Sequence, residues 1–397
     1  MVFAFGFVLF ALGITLSIAL HECGHMWAAQ ATGMKVRRYF IGFGPKIFSF
    51  RRGETEYGVK ALPLGGFCDI AGMTALDELD PKDLDRAMYR QATWKRLLVM
   101  SGGIAMNFLL GFFLIVVVAV GWGLPRLADP PAKIGAVQCV SDHNPDRSYQ
   151  ACTGQGPAQR GGLRPGDVVT AVNGVGVSTW FEFTAQTQKQ TGVIRYTVER
   201  DGQSLQVSVQ PQQVVRYTDS GEQLEISAVG VTLDVPESPQ YDVFTAIPAS
   251  AQFTADLSVR TVHSLLQLPA KVTALWDAVT GGERDPETPL SVLGASRIGG
   301  ETAERGLWQS FILVLASLNF FLAVFNLLPL LPLDGGHIAV VLYEKIRNTI
   351  RGWKGLAPGA PVNYLKLLPA TYAFVVIGGA YMLLTLAADI VNPIRLL

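Results

Sequence analysis

Charge is what this 397-residue sequence has least of. Asp, Glu, Lys and Arg make up 16% of it, against about a quarter in ordinary soluble chains, and none occurs between Val2 and Leu20. That gap argues against a soluble enzyme, because an apolar run of this length can cross a bilayer. Net charge is missing too: 32 basic and 32 acidic side chains give +0, so no basic field exists to hold nucleic acid, and nucleic acid is not an expected partner. Cysteine is scarce, and four of them cannot build a disulfide-framed fold. No basic residue precedes the first apolar run, so it reads as a retained span and not as a cleaved signal peptide.

What is present comes in blocks. Four apolar stretches are expected to span the membrane, at about Val2–Ala31, Leu97–Trp122, Leu307–Leu331 and Leu368–Val391. The segment 33–96 carries Lys35, Arg37, Arg38, Lys95 and Arg96 among other basic residues, and 337–367 carries Lys345, Arg347, Arg351 and Lys354. Both are therefore expected on the cytoplasmic side, with the termini and the long insert outside.

At the inner end of the first span stands His21-Glu22-Cys23-Gly24-His25. On a helix the two imidazoles lie one turn apart on one face, the spacing that holds a zinc ion, and Glu22 beside them can act as general base. Ionisable side chains within a span are costly and point to function. By helical rise His21 lies roughly 28 Å into a helix entering from outside. The third span enters from the same side and ends in Asn326-Leu327-Leu328-Pro329-Leu330-Leu331-Pro332-Leu333-Asp334-Gly335-Gly336, where prolines and glycines unwind it. Asp334 is expected at the depth of His21 and His25, giving two histidines and a carboxylate with a fourth position left for water. Two uses fit Asn326: bonding backbone freed near Pro329, or holding substrate or a developing oxyanion. Cys23 points off the histidine face and is expected to pack; His337 is a rival for the metal or a helix-start residue.

The insert, 123–240, reads as an α+β unit. Gly156-Pro157-Ala158, Arg160-Gly161-Gly162-Leu163-Arg164-Pro165-Gly166-Asp167 and Val172-Asn173-Gly174 resemble a PDZ domain, with alternating runs at Ile194–Arg200 and Leu205–Val209 as strands. Its two cysteines, Cys139 and Cys152, sit where oxidation is permitted and form a candidate disulfide. The segment 241–306 is expected to hold an amphipathic helix on the outer face, followed by a stretch, Pro289 to Gly300, that resembles a known pre-span segment and on that resemblance is expected to gate entry.

Together, the HExxH in the first span, the NxxPxxPLDGG in the third and the PDZ-like insert resemble the site-2 protease family of intramembrane zinc metalloproteases, in its bacterial, actinobacterial branch. The resemblance implies His21, His25 and Asp334 as ligands of one Zn2+ per chain, Glu22 as general base and Asn326 as a substrate-positioning residue. It also implies substrate contacts at Gly42, Gly44 and Asn107, although Ser101-Gly102-Gly103 replaces the family's Gly-Pro ahead of Asn107. The implied fold is a multi-pass α-helical membrane protein with four transmembrane helices, a re-entrant β-hairpin on the cytoplasmic side within 33–96, and the inserted extracytoplasmic PDZ domain. The implied function is hydrolysis within an unwound single-span substrate, such as an anti-sigma factor or remnant signal peptide, in a bacterial cell membrane after a first, extracytoplasmic cut by a site-1-type protease. A plain cytoplasmic hairpin remains open for 37–70. A zinc transporter using the same ligands, or a non-catalytic PDZ receptor, is the alternative; the first would leave Glu22 without a task, and the second would need a structural site closed by four protein ligands where three are found.

Overall fold

The computed structural model describes residues 1–127, 129–145, 148–217, 223–234 and 239–394, with the backbone alone at 63 and 64; the end of the C-terminal tail, 395–397, lies outside the described residues. The chain opens on α1 (Val2–Ala31), two long strands, β1 (Val36–Arg52) and β2 (Thr55–Ile70), and α2 (Thr93–Gly121). There follow β3 (Ile134–Val137), α3 (Pro157–Gly161), β4 (Val168–Val172), β5 (Val175–Gly176), α4 (Trp180–Gln188), β6 (Ile194–Arg200), β7 (Gln203–Val209), β8 (Gln212–Tyr217), β9 (Gln223–Ala228) and β10 (Val231–Leu233). Helices α5 (Val243–Gln267), α6 (Lys271–Val279), α7 (Val292–Glu304), α8 (Trp308–Asn326), α9 (Asp334–Trp353) and α10 (Leu368–Val391) complete it. The chain divides into a helical unit, Met1–Leu124 with Gln240–Leu397, and a second unit, Pro125–Pro239.

Four described helices are long and apolar enough to cross a membrane: α1, α2, α8 and α10. Where side chains gain nothing from water exclusion, helices associate by close backbone approach at small residues. Here α1 and α2 meet at glycine: a Cβ on Gly24 would lie 2.1 Å from the Gly102 carbonyl oxygen, and one on Gly102 would lie 2.4 Å from that of Gly24. Helix α7 packs along α1, with Phe10, Ile14, Ala295, Ala303 and Phe311 forming a buried cluster that reaches α8. The stretch expected to gate entry is thus largely a helix laid against the first span.

Strands β1 and β2 fold double. Arg38 stands opposite both Glu56 and Asp69, and Phe40 opposite both Gly58 and Phe67, while Phe48 faces Val59. Two strands therefore make a sheet four segments wide, in the order 46–52, 55–60, 36–41, 66–70. The fold point is Gly42-Phe43-Gly44, where both glycines take positive φ (91° and 81°). A Cβ on Gly42 would stand 2.8 Å from the Leu62 carbonyl oxygen, so only glycine fits.

The second unit carries a four-stranded antiparallel sheet, β5-β4-β6-β7, and the pairs β3/β10 and β8/β9. Ile134, Phe183, Ile194, Tyr196, Val198 and Val209 belong to its core. Thr179 and Glu182 cap α4 reciprocally. Cys139 and Cys152 are joined, with Cα atoms 6.0 Å apart.

Two boundaries differ from the sequence reading. The third span stops at Asn326, not Leu331, because Pro329 and Pro332 cannot continue a helix. The segment 337–367, expected as a loop, is largely α9, whose apolar residues are divided between a packed side and an exposed one.

Candidate metal centre

His21 and His25 project from one face of α1, with their Nε2 atoms 3.2 Å apart. The Oδ2 of Asp334 lies 3.2 Å from each of them. The aspartate reaches this point as the first residue of α9, after residues 327–333 turn the chain back. Gly335 and Gly336 let α9 start hard against that turn: a Cβ on Gly335 would come within 2.3 Å of the Leu327 carbonyl oxygen. The three atoms form the one cluster of potential metal ligands among the described residues.

Their spacing fits zinc. Ligands at 2.0–2.2 Å in a tetrahedron lie roughly 3.3 Å from one another. Three donors this close, with Asp334 Oδ2 buried and without a hydrogen-bond partner, make sense around a cation. Space is left on the α2 side, where a Cβ on Gly103 would lie 2.4 Å from His25 Nε2 and 2.7 Å from His21 Nε2.

Each imidazole spends its other nitrogen on α2. His25 Nδ1 donates to the Val99 carbonyl oxygen at 2.8 Å, and His21 Nδ1 lies 3.2 Å from the Asn107 amide. Both Nε2 atoms are thereby turned to the cluster. Asn107 is 1% exposed, and its Oδ1 has no partner. The Asn107 side chain, expected to contact substrate, is enclosed behind His21 and faces the ring. Gly42 and Gly44, also expected to touch substrate, serve the fold of the sheet.

Glu22 lies outside the three-atom cluster yet close enough to interact with the charges of His21, His25 and Asp334. The edge segment 66–70 passes beside it. A Cβ on Gly66 would stand 3.2 Å from Glu22 Cγ. Asn326 ends α8 half-buried, with no side-chain hydrogen bond among the described residues. Cys23 packs away from the cluster and donates to the Tyr39 hydroxyl at 3.2 Å. His337 turns to the Tyr364 hydroxyl, 3.2 Å from its Nδ1, and stays out of the cluster.

Sequence reasoning missed Val99 and Gly103. A backbone carbonyl has no signature in sequence, and Gly103 sits among small residues that would be there for packing alone. For Asn107 the signal existed, since a lone amide in an apolar span needs a partner.

A sequence model described as "Peptidase family M50" matches residues 9–368. The zinc metalloprotease Rip1 of Mycobacterium tuberculosis is 53% identical, and that of Mycolicibacterium smegmatis 51%, each over the whole of both chains. The zinc metalloprotease RasP of Oceanobacillus iheyensis is 24% identical over 86% of this chain and 91% of its own.

Proposed function

From the premise that the chain belongs to peptidase family M50, and is a zinc metalloprotease of the site-2 type, we propose that His21, His25 and Asp334 hold its zinc and that Glu22 is the general base. The observation that carries this is the convergence of three donor atoms at 3.2 Å with one buried oxygen otherwise unpartnered. Bound zinc supplies Lewis acidity, polarising a carbonyl and making water acidic near neutral pH. Glu22 takes the proton from water and delivers it to the leaving amide nitrogen. Asn107 holds His21: with Nε2 committed to the metal, Nδ1 carries the ring proton, and turning the Asn107 amide over presents its unpartnered Oδ1 as acceptor.

The substrate is a single transmembrane segment, unwound because a helix hides its amides in its own hydrogen bonds. The edge segment 66–70, running beside Glu22, receives it as an added strand, and Asn326 positions it. Segments 33–96 and 337–367 lie on the cytoplasmic side, a reading their positive charge supports, with both termini and Pro125–Pro239 outside, in a bacterial cell membrane. The second unit is a PDZ-type domain; Gly162 in the left-handed conformation after α3, and the antiparallel sheet flanked by α4, support that reading. Membrane anti-sigma factors and remnant signal peptides, trimmed outside by a first protease, are the substrate class.

The test is cleavage of a tagged single-span substrate, already truncated outside the membrane, by purified full-length protein, with zinc measured alongside. The parent cuts within the span; Glu22→Gln keeps its zinc and loses at least about a hundredfold in rate. Zinc-loaded parent and variant that are equally inert on a panel of such substrates would overturn the proposal.

A further inference from the structure

Helix α9 has an apolar face that the protein leaves bare. Its packed side is set by Val340, Val341 and Glu344, all buried, with Glu344 paired to Arg96 at 2.7 Å and accepting from the Val362 backbone N–H. Leu342, Tyr343, Ile346, Ile350 and Trp353 are all exposed, Trp353 at 82%. At 3.6 residues per turn these five fall within an arc of about 100°, roughly opposite the packed side. Lys345 borders one edge of that arc; Arg347 and Lys354 border the other. The Arg347 guanidinium lies 5.8 Å over the Tyr343 ring. Beyond Asp334 the helix has one acidic residue, Glu344, and it is buried, so every charge α9 shows outward is positive.

We infer that α9 lies in the plane of the membrane and docks on a leaflet of anionic lipid. Its place in the chain puts it there: α8 ends and α10 begins at the same membrane face, and α9 lies between them, joined by residues 327–333 and 354–367. The helix is too charged to cross the bilayer, yet the stripe is too apolar for water. A helix with one apolar face and basic flanks settles at the boundary of acyl chains and headgroups, where each cation adds attraction to anionic lipid. The third donor of the metal cluster, Asp334, is the first residue of this same helix, so lipid that seats α9 also seats the aspartate. The inference depends on the membrane-spanning helices and not on the hydrolase reading, and it is tested on zinc-free and zinc-loaded protein alike.

Full-length protein in vesicles of phosphatidylcholine with about one-third phosphatidylglycerol is compared with Trp353→Phe. The difference between their emission spectra isolates Trp353. It is expected to be quenched when the lipids carry bromine on their acyl chains and to resist acrylamide. Quenching by acrylamide with no response to brominated lipid would overturn the inference and leave the face to water or to a protein. For the charged flanks, Lys345→Gln with Lys354→Gln should lower the retention of phosphatidylglycerol over phosphatidylcholine on the detergent-purified protein roughly tenfold. An unchanged ratio would overturn the anionic preference.

Discussion

Two buried carboxylates, one in each unit, are treated in opposite ways. In Pro125–Pro239 the carboxylate of Asp167, 1% exposed, is fully engaged: Arg200 donates to both oxygens at 2.7 Å, and the Arg164 backbone N–H donates to one of them at 2.8 Å. In the helical unit Asp334, Asn107 and Asn319 are buried or nearly so, and each keeps an oxygen without a hydrogen-bond partner. A satisfied network fixes a scaffold; an unsatisfied one is a place that something else completes. For Asp334 the completing group proposed here is the zinc ion. The lesson is that chemistry in this molecule is found by following incomplete hydrogen bonding, not by following charge.

The contrast can be broken most violently at Asp334. Asp334→Ala should abolish both zinc retention and cleavage, measured by metal analysis on the purified variant and by the single-span substrate assay; a variant holding stoichiometric zinc would show that the open carboxylate serves another end. Next comes Gly103→Ala, whose Cβ would fall 2.4 Å from His25 Nε2. It should fold, since alanine favours a helix, but bind zinc poorly; parent-like zinc content would mean that α2 does not wall the site. Asn107→Leu keeps the number and branching of side-chain heavy atoms and removes the acceptor, and should weaken zinc roughly ten- to a hundredfold in competition with a chelator, as loss of such supporting bonds does elsewhere. Asn107→Asp, which keeps an acceptor, should restore most of it. If the leucine variant instead bound zinc normally and lost affinity for substrate, Asn107 would belong to the substrate groove after all.

Least affected at the metal should be Asp167→Asn. Its cost is confined to the second unit, about 3–5 kcal/mol for a buried pair with one partner removed, read as a lower unfolding temperature with zinc content unchanged. Burial works to raise the Asp167 pKa, but the Arg200 guanidinium and the Arg164 N–H outweigh it and hold the carboxyl below its ordinary value. The stabilisation from this pair is therefore fully present above about pH 4, near the unfolded aspartate value, and is lost as pH falls through the lowered folded value. The parent should lose second-unit stability in that acid range, and Asp167→Asn should show a flatter profile there.

How much of this was legible in sequence follows from how local each feature is. His21, Glu22 and His25 are fixed by spacing along one helix, and the spans by uninterrupted apolar runs. Asp334 could be brought to them by counting helical rise from the two ends of the membrane. The doubled sheet was half visible: Gly42 and Gly44 marked breaks, but nothing in a one-dimensional pattern says that 36–41 will find partners on both sides. The supports of the imidazoles were hidden because one is a backbone carbonyl and the other needed the crossing of α1 and α2. Helix α9 escaped because its apolar stripe, opposite its packed side, leaves no clean division between a core face and a watery one.

The meeting of Gly24 and Gly102, backbone on backbone, gives the two helices a pivot with no compressible side chain in it. Val99, which holds His25, and Asn107, which holds His21, lie on opposite sides of that pivot along α2. A tilt of about 5° would carry Asn107 by roughly 0.7 Å, given a rise of 1.5 Å per residue, and Val99 by a little over half as much in the opposite sense. Hydrogen bonds of 2.8 and 3.2 Å do not tolerate such excursions equally. A tip of the second span toward or away from α1 about that pivot would therefore lengthen one histidine's bond while it shortens the other's.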